Sequence, residues 1–136
     1  MRRFNVKKPV RSFRDLEVYQ KTMEASVITV KNLKPKLQKL KYPFLENMVN
    51  CSMSIPLFLG ESHSLRFGDH QAAILLLEKA MAGCNKMVIY LEQTNGIYGS
   101  KVDQELINDL IRKYSEARTK IFRLEKAWQR FEPPKR

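Results

Sequence analysis

Apolar residues recur at steps of three and four along most of this chain. The first run is Leu16, Tyr19, Met23, Val27, Val30 and Leu33, one face of a long helix. Ser12 and Asp15 form the Ser/Thr-x-x-acid signal of a helix start, so helix one is expected to open at Ser12. Pro35 disfavours helical geometry in the residue before it, which predicts an end near Leu33. The second run is Leu45, Met48, Val49, Ser52, Ile55 and Leu59, with Pro43 at its start and Gly60 as its stop. Pro56 lies inside this run and should kink the helix. The third run, Phe67, Ile74, Leu77, Met81, Cys84, Val88 and Leu91, has the four-three spacing of a bundle seam and ends at the turn signal Asn95-Gly96. Small residues near its centre, Ala80, Ala82 and Gly83, would let a neighbouring helix come close. The fourth run is Leu106, Leu110, Tyr114, Ala117, Ile121, Leu124, Trp128 and Phe131. Ser100 and Asp103 predict its start, and Pro133-Pro134 its end.

No segment alternates with period two between hairpin turns. Four long helices with short links predict an all-α, antiparallel up-down-up-down bundle. One domain over 12–132 accounts for the pattern. A flexible basic arm at 1–11 precedes it and a short basic tail at 133–136 follows.

Charge changes the picture. The 136 residues carry a net +11, which suits nucleic acid or an anionic membrane, with a merely solvated surface as the ordinary alternative. Residues 42–111 are net acidic, with only Arg66, Lys79, Lys86 and Lys101 against a larger set of carboxylates. The positive charge concentrates in the arm, in Lys31–Lys41 and in the last 25 or so residues. In an up-down-up-down bundle the arm, the Arg66 turn and the end of helix four share one pole, and Lys31–Lys41 occupies the other. Arg118, Lys120, Arg123, Lys126 and Arg130 are the candidate phosphate contacts, supported by Arg2, Arg3, Lys7 and Lys8 of the arm. These helix-four residues cannot all point outward from one pole. The same charges would equally suit an acidic protein surface.

Candidate chemistry is sparse. Two histidines, His63 and His70, stand seven apart, and no Glu-x-x-His pair of the di-iron bundle type exists. No Gly-rich phosphate loop, nucleophile elbow or zinc pattern occurs. Cys51 and Cys84 fall at apolar helix positions and read as reduced core thiols. The expectation is a protein with no enzymatic activity, no cofactor and no metal. The N-terminus lacks an apolar signal-peptide core and no apolar run is long enough to span a bilayer, so a cytoplasmic protein without a membrane partner is expected. Tyr114, Trp128 and Phe131 lie on the helix-four seam and read as core. For Phe4, Phe13 and Tyr19 core and base-stacking roles both stay open, and Phe13 also fits a hydrophobic staple or a plug between subunits.

Three stretches resemble one family. SFRDLEVYQKTMEAS is similar to the F-[KR]-D-L-x-V-[WY]-Q-K opening of the small bacterial four helix bundle proteins. SMSIPLFLGES resembles their helix-two ending at Ser54, Ile55, Pro56 and Glu61, but Leu57-Phe58 stands in place of the usual Asn and the order Gly60-Glu61 is inverted. FGDHQAAILLLEKAMAGCNKMVIYLEQ is similar to their third helix, and the resemblance spans roughly residues 12–131. The family includes proteins encoded within bacterial large-subunit ribosomal RNA genes and the accessory variability determinants of diversity-generating retroelements. The resemblance implies a four-helix protomer, a homopentameric ring and a basic surface that binds DNA or RNA. For the retroelement branch it also implies a reverse transcriptase as partner. No site residue carries over from it.

Overall fold

The computed structural model describes residues 10–130, and these are all helix and connection. Four rods pack in sequence around one core. The first rod is compound: α1, Glu17–Ile28, continues through a π-helical turn at Thr29–Leu33 into α2, Lys34–Lys39. The other three are α3, Leu45–Leu65, α4, His70–Tyr98, and α5, Gln104–Arg130. α1 packs on α3 and α5, α3 on α4, and α4 on α5. An ion pair joins Glu17 to Lys120, and a second brings Glu24 within 4.0 Å of Lys113. Rising numbers on α1 thus meet falling numbers on α5, as an antiparallel up-down arrangement requires.

The start of the first rod differs from the expected one. The Ser12–Asp15 capping box forms, with the Arg14 N–H on Ser12 Oγ at 3.2 Å and the Ser12 N–H on Asp15 Oδ2 at 3.2 Å. It closes only a 3-10 turn, Phe13–Asp15. Leu16 then returns to extended backbone, and α1 begins at Glu17.

Pro35 does not end this rod near Leu33. In the wide turn the Lys34 N–H donates to the Thr29 carbonyl, five residues back. Pro35 then falls in the first turn of α2, where a missing donor is tolerated. The rod stops six residues later in a Schellman cap. The Tyr42 N–H reaches Leu37 O and the Lys41 N–H reaches Gln38 O, both at 3.1 Å, with Lys41 in the left-handed region at φ 59°.

The buried face of the first rod matches the expected one only at its ends, Leu16 and Leu33. Val18, Thr22, Ala25, Ser26, Thr29 and Leu33 face the core, while Met23 and Val27 are exposed and Tyr19 and Val30 half-buried. Small and hydroxyl side chains can line the core because each hydroxyl is satisfied within the helix. Thr22 donates to Val18 O, Thr29 to Ala25 O (both 2.8 Å) and Ser26 to Met23 O (2.7 Å).

α3 buries the predicted face, Leu45, Met48, Val49, Ser52, Ile55 and Leu59. It begins after Pro43 and runs through both Pro56 and Gly60 to Leu65. Facing it, Gly83 of α4 permits a close approach: a Cβ there would lie 2.8 Å from Ile55 Cγ1. Phe67 is not part of the α4 seam but lies in the connection before it. α4 also passes the Asn95-Gly96 signal and ends at Tyr98, with Gly99 at φ 54° making the turn. α5 is capped by Asp103 rather than Ser100: the Leu106 N–H donates to Asp103 Oδ1 at 3.0 Å. Its Leu110, Tyr114, Ala117 and Ile121 are buried as expected, together with Ile107.

Candidate nucleic-acid interface

The second half of α5 sorts its basic residues by direction. Arg123, Lys126 and Arg130 follow at steps of three and four and rise along one exposed ridge. Among the described residues none of the three forms a salt bridge with a carboxylate. Lys126 places its ammonium 5.2 Å above the Phe122 ring. Arg118 is exposed on a flank of the helix. Lys120 stands apart, because its ammonium is paired with Glu17. The arm residues Arg2, Arg3, Lys7 and Lys8 lie outside the described residues. Beneath the ridge Glu125 is buried; desolvation raises its pKa first, Glu78 adds to the rise, and Lys126 opposes it.

The α3–α4 connection closes the same pole. The His63 ring lies 6.3 Å from Trp128, between Lys126 and Arg130 in sequence. Arg66 Nη1 donates to His63 O at 2.6 Å and lies 3.1 Å from His63 Nδ1. Burial of His63 lowers its pKa, Arg66 lowers it further, and Asp15 works the other way. The favoured neutral ring, with its proton on Nε2, offers Nδ1 as acceptor to Arg66.

At the opposite pole Lys31, Lys36, Lys39 and Lys41 are exposed and Lys34 half-buried. Beside them Tyr42, Phe44, Tyr90 and Tyr98 form an aromatic group with ring separations of 6.3–6.4 Å. Tyr42 donates to Gln93 Oε1 at 2.7 Å, and its burial pushes the phenol up to about 12. This group ties the α2–α3 connection to the end of α4.

Two grooves escaped the sequence reading. One, of about 470 Å³ between α3 and α4, is lined by Lys79, Lys86, Asn47, Asn50 and Cys51, so the net acidic middle of the chain contains a basic cleft. The other, of about 740 Å³ between α1 and α3, is apolar and lined by Phe13, Tyr19, Met23, Met53, Leu57 and Phe58. Phe13 leans edge-on against Tyr19 at 5.0 Å and over Gly60. Leu57 is 71% exposed there. The signal is present in the sequence as the Tyr19–Met23–Val27 stripe, whose spacing alone reads as interior.

Among the described residues no group of three or more His, Cys, Asp or Glu could hold a metal ion. His63 is engaged by Arg66, and His70 opens α4. Cys51 and Cys84 are free thiols. Cys51 Sγ donates to Gly83 O at 3.4 Å, and burial pushes Cys84 up to about 12, far from the reactive thiolate form. No described helix is long and apolar enough to cross a membrane. No family model, curated protein or solved structure matches the chain.

Proposed function

We propose that this bundle is a non-catalytic nucleic-acid-binding accessory protein that acts as a homo-oligomer. The observation that carries the reading is the exposed ridge Arg123–Lys126–Arg130 at the pole of the Arg66 turn, cationic and without salt bridges to carboxylates among the described residues. Such a ridge attracts phosphates through released counterions and reads little sequence. The apolar α1–α3 groove supports self-association, because a protomer that docks there buries side chains otherwise left in water. Assembly would multiply weak contacts through effective concentration. A ring of five and a reverse transcriptase as partner follow from the family resemblance and complete the proposal, together with the cytoplasmic setting expected from the sequence.

Fluorescence anisotropy with duplex DNA, structured RNA and an RNA–DNA hybrid, titrated across salt, tests it. Tight binding that weakens steeply with salt is expected. Reversing Arg123 and Arg130 to Glu should weaken binding and flatten the salt slope by about 0.9 for each duplex phosphate no longer neutralised. Absence of binding at low salt would overturn the proposal. The apolar groove would then favour a second reading, a protein-docking module with no nucleic-acid role.

A further inference from the structure

Phe67 is an anomaly of placement. It is 81% exposed, more than any other large hydrophobic side chain among the described residues, and it sits on the pole of Arg66, Arg123, Lys126 and Arg130. The connection that carries it is only Arg66–Asp69, and both its ends are fixed. The Asp69 N–H donates to Leu65 O at 2.8 Å, and Asp69 Oδ1 caps α4 by accepting from Ala72 N–H at 3.1 Å. The Arg66 guanidinium lies 4.3 Å from the Phe67 ring centroid. That guanidinium is itself held by the carbonyl and the ring of His63, and His63 packs against Trp128. A line of planar groups therefore runs from the bundle end to solvent: Trp128, His63, Arg66, Phe67. Phe67 is its outermost member and keeps most of its surface open.

We infer that Phe67 is a stacking platform for an unpaired nucleobase, and that this pole takes single-stranded or looped nucleic acid in preference to uninterrupted duplex. The inference rests on the nucleic-acid reading above and names its ligand class. Stacking on an aromatic side chain needs a free base face, which a duplex hides except at its ends. Arg66 against the ring supplies a cation within reach of a phosphate that adjoins the stacked base, and the α5 ridge adds further cations at the same pole.

The test compares an unstructured 12-nucleotide oligouridine or oligothymidine with a long duplex, whose two end faces are a small part of its surface, by anisotropy at fixed salt. Phe67→Ala should weaken single-strand binding about tenfold and leave the duplex unchanged. Phe67→Trp should retain or tighten it. Because the ring is neutral, the salt slope should not change, unlike the slope of the Arg123/Arg130 reversal. Unchanged single-strand affinity in Phe67→Ala, or equal loss on both ligands, would overturn the inference while the nucleic-acid reading stood. If the wild-type chain bound neither ligand, the functional proposal itself would fall. The exposed position makes misfolding of these variants a minor concern, and a thermal melt of each one checks it.

Discussion

Gly83 sets how closely α3 and α4 approach. A methyl group there would meet Ile55 Cγ1 at 2.8 Å and Cδ1 at 3.3 Å, and Ile55 is fully buried. Gly83→Ala should therefore destabilise the fold by about 1–3 kcal/mol through overpacking, outweighing the ~1 kcal/mol that alanine gains over glycine in a helix. Urea unfolding measures this. Combining it with Ile55→Ala should cost less than the two single effects added, because the second change removes the clash. His63 gives a pH signature at the same scale. Its folded pKa is lowered, chiefly by burial and then by Arg66, so folding favours the neutral ring. The stabilisation is complete above the ordinary histidine value of about 6.5 and is lost as pH falls through the folded value. Unfolding midpoints should drop more between pH 7 and pH 5 in the wild type than in His63→Gln, and equal drops would refute the assignment.

At the scale of elements, the end of α2 carries a specific cost. Lys41 occupies the left-handed position that a Schellman cap usually gives to glycine. Lys41→Gly should raise stability by about 1 kcal/mol in the same unfolding assay. The four-helix plan was legible in the sequence, as was the face of α3, where large apolar side chains do the packing. The face of α1 was not legible. Apart from Val18 its core positions are threonine, serine and alanine, and a count of large apolar residues settles on Tyr19, Met23 and Val27 beside them. Gly60 and Asn95-Gly96 look like stops, but a local preference of about 1 kcal/mol yields to the packing of a long helix. Basic residues could be named from sequence, yet their freedom could not. Lys120 is neutralised by Glu17 from a distant part of the chain, and Phe67 matched the seam period without belonging to the seam.

Across the whole molecule, antiparallel packing sorts charge and apolar surface to different places. The ends of α3 and α5 meet at the pole of Arg66, Arg123 and Arg130, while the α1–α3 groove lies along the flank. If that flank joins protomers, Leu57→Glu should lower the mass measured by light scattering to that of one chain while helical content is kept. Nucleic-acid affinity should fall with it, although every basic residue remains, because multivalency is removed. An unchanged mass would place any self-association elsewhere.

The π turn at Thr29–Leu33 works as a phase corrector for the first rod. In an uninterrupted α-helix twelve residues turn far enough to leave Leu37 about 120° round from Ala25. The wider turn removes roughly one residue's rotation, and Ala25, Thr29, Leu33 and Leu37 all end on one buried line. Chain length is thus coupled to orientation: deleting Asn32 would leave an ordinary helix, keep Leu37 inside, and bring Pro35 into its interior without the slack that now accommodates it. The extra residue and the proline belong together, and each makes the other tolerable in a continuous rod.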